Sequence, residues 1–229
     1  MRHPLTLHTA LLPHLLRLVP RAPMTLGGGT ALLLCALPLA VSTRLEPDDA
    51  TLLLRLAAVL CTVPVAFALD DPAARTTATQ PLPLAVRRSL RLALTLAPLA
   101  AIWTAGGFLL RAALNPDDRV ALPLTGLSLE AAALGAATIL LTALGLRLSR
   151  GERGSTLAAP GGVLLPLGLV LSPARAQLFA VPPAESWASS RWVWATALTV
   201  AVGTATVLLR EHPLGTRRAP AAHTPPSAP

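Results

Sequence analysis

The feature that most constrains this chain is a series of long apolar runs with short connections between them. Six such runs are rich in Leu, Ala, Val, Gly and Thr, and a helix of about 20 apolar residues crosses a bilayer core of about 30 Å. Segments that cross lipid satisfy their backbone hydrogen bonds internally, so the runs predict helices. The predicted fold class is all-α, a polytopic transmembrane helical bundle of six spans. The spans are residues 26–43, 51–69, 92–110, 127–146, 157–171 with an extension toward 181, and 192–209.

The positions of the arginines predict the orientation of this bundle. All 19 basic residues are Arg. With the amino terminus in the cytoplasm, thirteen of them fall on the cytoplasmic side and six on the outer side, as the positive-inside rule requires. Seven of the eleven acidic residues fall on the outer side. Both termini are therefore predicted to be cytoplasmic, and the net charge of +8 is interpreted as a topology signal with some attraction to anionic lipid.

Composition and motifs argue against several classes of protein. A chain without Lys lacks the lysine of the phosphate-binding loop of nucleotide hydrolases. Aromatic residues are only 3% of the chain, too few for the stacking surfaces of single-strand binders, so no nucleic-acid partner is expected. No His-x-x-x-His pair, Gly-x-Ser-x-Gly motif or Cys/His cluster is present, which predicts no enzyme, metal or cofactor site. Cys35 and Cys61 are interpreted as small packing residues.

Three regions are predicted along the chain. Residues 1–24 form an amphipathic cytoplasmic arm, with a partly ordered tail as the alternative. Residues 25–210 form the six-helix transmembrane domain, which carries a cytoplasmic docking loop at 70–91. Residues 211–229 are a disordered cytoplasmic tail rich in Pro and Ala.

The loop between the second and third spans is the strongest candidate for binding a partner. Asp71 followed by Pro72 is a good helix start, because Asp accepts from free amides and Pro has no amide to leave unpaired. A short helix at the membrane surface would serve to dock a protein. The alternative is an ordinary capped loop whose arginines contact lipid phosphates. The candidate docking residues are Asp70, Asp71, Pro72, Arg75, Arg87 and Arg88.

Within the spans, Arg55 and Glu130 are a candidate intramembrane polar pair. Both lie about one turn inside a span on the outer side, so they could pair across the bundle instead of facing lipid. Snorkelling would also accommodate Arg55. The sequence contains no charge near the midplane, which disfavours a proton-driven pump.

Two features of the outer side have structural interpretations. The acidic pairs in Pro47-Asp48-Asp49 and Pro116-Asp117-Asp118 are interpreted as helix caps, although a hard-cation site would be an alternative if the two loops met. The tryptophans before the last span are interpreted as an interfacial belt. They are Trp187, Trp192 and Trp194.

The architecture resembles the membrane subunits of ATP-binding-cassette exporters of the six-span permease type. The stretch Leu-Asp-Asp-Pro-Ala-Ala-Arg-Thr-Thr at 69–77, followed by Pro and paired Arg, looks like small permease-like proteins of high-GC actinobacteria. The resemblance implies a bacterial plasma membrane and makes residues 70–80 the coupling segment on which a separate cytoplasmic ATPase docks. It also implies pairing, as a homodimer or with a similar subunit.

The predicted function is therefore an integral membrane permease-like subunit of an ATP-binding-cassette export system. The alternative is a noncatalytic membrane scaffold or regulatory protein that binds an unknown partner through the same loop.

Overall fold

The structure, a computed structural model, describes residues 21–70, 84–149, 153–181 and 184–210. This part of the chain is all-helical, which confirms the predicted fold class at that level. Its helices, labelled here in chain order, are α1 (Arg21–Ala40), α2 (Pro47–Phe67), α3 (Leu84–Ala113), α4 (Leu124–Leu148), α5 (Ser155–Leu171), the single-turn α6 (Arg175–Leu178) and α7 (Trp187–Leu209), with a 3-10 turn at Pro116–Val120.

Five of these helices, α1, α2, α3, α4 and α7, are long and apolar enough to cross a membrane. They make the chain compatible with a multi-pass membrane protein. The remaining predicted span corresponds to α5, which has 17 residues and is about 26 Å long, somewhat less than a bilayer core of about 30 Å. It stops at Leu171 and does not extend toward Val181. The physical reason is that Ser172 precedes Pro173 and takes an extended backbone with ψ 153°.

The helices begin earlier than the predicted spans, and α3 shows the largest difference. α3 starts at Leu84, so the second half of the predicted docking loop is helical and continuous with the third span. At 30 residues the helix is about 45 Å long, which exceeds the thickness of a bilayer core. α1 already includes Arg21, the last part of the predicted arm. Residues 1–20 of the arm and the tail at 211–229 lie outside the described residues.

Helices α2 and α4 form the centre of the bundle. In the apolar stretch of each of these two helices, half of the residues are buried inside the bundle, against 17–28% in α1, α3 and α7. α2 packs against α1, α3, α4 and α5, while α4 packs against α2, α5 and α7. The contact of α7 with α4 uses small side chains, since Ala201 and Ala205 are buried. Small residues at this spacing let helices approach closely.

The outside of the bundle is apolar. Large aliphatic and aromatic side chains on α1, α3, α5 and α7 are more than half exposed, among them Leu33, Phe108, Leu164 and Val200. Soluble monomers rarely expose contiguous apolar patches above a few hundred Å². This surface is suited to lipid and not to water.

The bundle has two ends, which we call the Pro47 end and the Asp70 end. The Pro47 end is where α2, α4 and α7 begin, and the Asp70 end is where α3 and α5 begin. At the Pro47 end the loop between α1 and α2 meets the loop between α3 and α4, because Leu45 and Leu114 form an isolated parallel bridge in which the Leu45 amide donates to the carbonyl of Ala113 at 3.3 Å.

Each of these loops contains a Pro-Asp-Asp sequence that starts a helix or a helical turn. Pro47 occupies the first turn of α2 together with Asp48 and Asp49. Pro116 starts the 3-10 turn in the same way, with Asp117 and Asp118. The fixed φ of Pro and the negative charge of Asp both favour the first turn of a helix, so these positions are consistent with a favourable interaction with the helix dipole. Neither N-terminus has a side-chain cap hydrogen bond, so the Asp pairs are first-turn residues and not the caps that the sequence suggested.

Candidate functional site

The most distinctive polar group in the bundle is the carboxylate of Glu130 on α4. Glu130 is 2% exposed, and the structure brings it together with Arg55 of α2, the partner that the sequence suggested. Arg55 Nε donates to Oε2 at 2.8 Å and Nη2 donates to Oε1 at 3.1 Å. Two parallel charge-assisted bonds of this kind are the strongest geometry that Arg and a carboxylate adopt.

A third member of this cluster is Arg191 of α7, which the sequence did not suggest. Its Nη2 donates to Oε1 of Glu130, and its Nη1 donates to the carbonyl of Gly126. We call Arg55, Glu130 and Arg191 the charge triad. Each member lies about 6–12 Å along its helix from the Pro47 end, at 1.5 Å per residue.

A sequence signal for Arg191 did exist. The predicted sixth span began at residue 192, which left Arg191 in the loop, whereas α7 begins at Trp187. With the helix started there, Arg191 is one turn inside a span and needs a partner. Glu130 is the acidic residue at a matching depth.

Aromatic rings pack on both arginines of the triad. The guanidinium of Arg55 lies 5.1 Å from the ring centroid of Phe179, and that of Arg191 lies 4.0 Å from the ring of Trp187. Cation–π contacts of this kind stabilise a cation that has left water. The rings therefore help to keep both charges inside the bundle.

The end of α6 is held to α7 by two hydrogen bonds to one carbonyl oxygen. Trp194 Nε1 and Ser190 Oγ both donate to the oxygen of Leu178, at 2.8 and 2.6 Å. Trp194 is 4% exposed and packs on Phe179. The interpretation of Trp194 as part of an interfacial belt is therefore wrong, whereas Trp192, at 76% exposed, does lie on the surface.

Gly126 makes the close packing around Arg191 feasible. A Cβ at this position would lie 2.5 Å from Cη2 of Trp187 and 3.0 Å from Nη1 of Arg191. Only a residue without a side chain lets the indole and the guanidinium approach α4 this closely.

The charges of the triad do not cancel. Two guanidinium groups, which stay protonated in proteins, share one carboxylate and leave an excess of one positive charge. The side chains of Arg55 and Arg191 are only 21% and 17% exposed. The site therefore has hydrogen-bond donors and positive charge to offer to an anion.

A cleft of about 520 Å³ lies beside the triad. Its walls are α2, α4 and α5, with α6 at one end and Trp103 of α3 at the back. The lining is apolar apart from Arg55, Glu130 and Arg175. Its volume is within the range of about 300–1,000 Å³ typical of small-molecule sites.

At the opposite end, Asp70 has a structural role that the sequence did not reveal. Its Oδ1 accepts hydrogen bonds from the amides of Gly154 and Ser155, at 2.8 and 3.1 Å. Asp70 therefore caps the start of α5 from a distant part of the chain. Its own carbonyl accepts from Nη1 of Arg91 at 2.7 Å, which ties α3 to the same point.

The other candidate docking residues are only partly described. Asp71, Pro72 and Arg75 lie outside the described residues. Arg87 and Arg88 lie in the first turns of α3, where Arg88 is half-buried. The carboxylate of Asp70, one of the six candidates, thus already accepts hydrogen bonds within the bundle.

The described residues contain no group of three or more His, Cys, Asp or Glu side chains that could hold a metal ion. The acidic pairs Asp48-Asp49 and Asp117-Asp118 therefore do not assemble a cation site in this part of the chain, although the two loops that lead to them meet. Cys35 and Cys61 are free thiols, buried and half-buried respectively.

Comparisons with known proteins give no relative. No protein-family model, curated protein or solved structure matches this chain.

Proposed function

We propose that this chain is an integral membrane permease-like subunit of an ATP-binding-cassette export system, energised by a separate cytoplasmic ATPase that docks on the loop at 70–91. The observation that carries the proposal is the position of Asp70, the first residue of this loop, which contacts helices that line the cleft. Asp70 follows α2, caps α5 and is held by Arg91 of α3.

A partner that displaced this loop would act on three helices at once. It would move α2 through the chain itself, α3 through Arg91 and α5 through the amides of Gly154 and Ser155. α2 and α5 are walls of the cleft. A displacement at the Asp70 end would therefore change the width of the cleft, which is the coupling that export driven by an external ATPase needs.

The proposal includes a sixth crossing and cytoplasmic termini. α4 and α7 both begin at the Pro47 end, and Arg147 near the end of α4 donates to the carbonyl of Leu208 near the end of α7. The chain between them must return across the bundle, which supports α5 as a short span. The excess of arginine at the Asp70 end supports a cytoplasmic location for that end, in a bacterial plasma membrane.

The ATPase partner is tested by copurification. The tagged full-length chain is extracted from membranes of its own host with a mild detergent, and ATP hydrolysis in the eluate is measured. The loop variant carries Asp71→Ala with Arg75→Ala, and Asp70 is left intact because it caps α5. The matched control carries Asp117→Ala with Arg119→Ala, which removes the same charges at the Pro47 end.

We expect the wild type and the control to bring down a nucleotide-hydrolysing protein with a Walker motif, and the loop variant to lose it. If the wild type brings down no ATPase, the transport proposal is wrong. A noncatalytic scaffold that uses the same loop is then the remaining function. Crosslinking in membranes tests the accompanying proposal that the chain pairs with itself or with a similar subunit.

A further inference from the structure

The cleft is open at its side toward the lipid. α2 and α5 are in contact where Thr62 Oγ1 approaches the carbonyl of Gly162 at 3.4 Å, and they are tied again at Asp70. Toward the Pro47 end the cleft opens between them, and its lining includes Leu56 of α2 and Leu167 of α5, each nearly half exposed. A molecule in the bilayer can therefore reach the cleft from the side.

The cleft is also polarised along its length. Its charged residues, Arg55, Glu130 and Arg175, lie toward the Pro47 end. Deeper in the bundle the lining is apolar, with Ala58, Leu134 and others. A ligand that fits this arrangement has a polar head at the Pro47 end and an apolar chain that points toward the middle of the bundle.

The charge balance defines the sign of that head. The triad has an excess of one positive charge, and Arg175 adds a second. Arg55 Nη1 makes no hydrogen bond within the described part of the chain, and Arg175 forms no ion pair there. Positive charge inside a membrane protein is expensive unless it is paired. The cleft therefore favours an anion near Arg55 and Arg175.

We propose that the cleft binds an anionic membrane lipid, with its phosphate on Arg55 and Arg175 and an acyl chain between α2 and α5. A lipid of the leaflet at the Pro47 end already has this orientation, with the head near the helix ends and the chain toward the midplane. Basic pockets between membrane helices bind anionic head groups for the same reason. The identification of this lipid as the exported substrate rests on the proposed transport function, whereas its binding does not.

The experiment measures lipid binding by the full-length chain alone, without an ATPase. The delipidated protein in a nonionic detergent is titrated with phosphatidylglycerol or with phosphatidylcholine of identical acyl chains, and the first binding event is followed by native mass spectrometry. Both head groups carry a phosphate, but choline adds a quaternary ammonium that Arg55 and Arg175 repel, so we expect phosphatidylglycerol to bind about tenfold more tightly.

Two variants test whether Arg55 and Arg175 bind the lipid head group. Arg55→Gln leaves Glu130 paired with Arg191, so no carboxylate is stranded, and the excess charge of the triad disappears. Arg175→Gln changes an exposed side chain and leaves the bundle intact. Each variant is expected to lose most of the preference for phosphatidylglycerol, while the matched control Arg119→Gln at the same end retains it.

A third variant assigns the acyl chain. Val170→Trp fills the cleft and is expected to weaken the binding of both lipids, whereas Leu33→Trp, on an exposed face of α1 outside the cleft, leaves it unchanged. Equal binding of the two lipids by the wild type, or wild-type preference in both arginine variants, would overturn the proposal. Displacement of the lipid by inorganic phosphate at the same concentration would contradict the requirement for an acyl chain.

A positive result here together with a failed ATPase copurification would retain the lipid site and reject transport. The reverse result would retain transport and reject the lipid. The two proposals can therefore fail separately.

Discussion

Replacing Glu130 by Gln removes the negative charge on which the centre of the triad depends while keeping the size of the side chain. In the native bundle this carboxylate accepts three hydrogen bonds from Arg55 and Arg191 and is almost completely buried. The substitution leaves two guanidinium groups next to each other without a counter-charge. Breaking a buried ion pair by removing one partner costs about 3–5 kcal/mol.

The side-chain exposures favour the lower part of this range. The arginine side chains are 21% and 17% exposed, so each can shift toward water and recover some solvation. We therefore expect a loss of about 3 kcal/mol in the free energy of unfolding. For a chain of this size that corresponds to a decrease of about 6–12 °C in Tm.

The opposite substitution, Arg55→Gln, is expected to cost less. Glu130 keeps Arg191, so the remaining pair is neutral. The loss is then that of the hydrogen bonds from Arg55, about 1–2 kcal/mol. A larger loss of stability in Glu130→Gln than in Arg55→Gln is the result expected specifically of a triad with two cations and one anion.

The assay follows the fraction of full-length protein that stays monodisperse on size-exclusion chromatography after heating in detergent. Glu185→Gln, in an exposed turn before α7, is the matched control and should leave Tm unchanged. The reasoning is refuted if Glu130→Gln lowers Tm by less than about 2 °C, or if Arg55→Gln is as damaging as Glu130→Gln.

Two further substitutions test the contacts at the ends of the bundle with the same assay. Asp70→Ala removes the cap of α5 and should cost about 1 kcal/mol, with Asp70→Asn intermediate because its amide oxygen can still accept. Equal stability of all three proteins would contradict the cap. Gly126→Ala places a Cβ 2.5 Å from the indole of Trp187 and should lower Tm, whereas Gly203→Ala, with no atom within 4 Å, should not. An equal change of Tm in both glycine variants would show that the close contact at Gly126 does not exclude a Cβ there.

The helical spans could be predicted from the sequence because lipid imposes a simple rule. A segment that crosses an apolar core needs about 20 apolar residues and must be helical, and hydropathy reports both conditions directly. The helix starts were harder to place. α3 begins at Leu84 and α7 at Trp187, in stretches with Arg residues that lowered the local hydropathy.

The side-chain contacts depended much more on the tertiary structure. The sequence suggested Arg55 and Glu130 because both are charges inside apolar spans at the same depth. It did not reveal Arg191, which is far away along the chain and stood in a predicted loop. Asp70 was assigned to docking because it follows a span, yet its carboxylate caps α5.

The sequence by itself thus determined that this chain forms apolar helices of membrane-spanning length, since that property depends on residues close together along the chain. The tertiary structure decided which helix faces meet, and with them the excess charge of the triad, the cap by Asp70 and the cleft between α2 and α5. Contacts between helices depend on how each helix is rotated and tilted. The hydrophobic pattern of each helix says little about its rotation about its own axis, because most residues are apolar on the buried face and on the outward face alike.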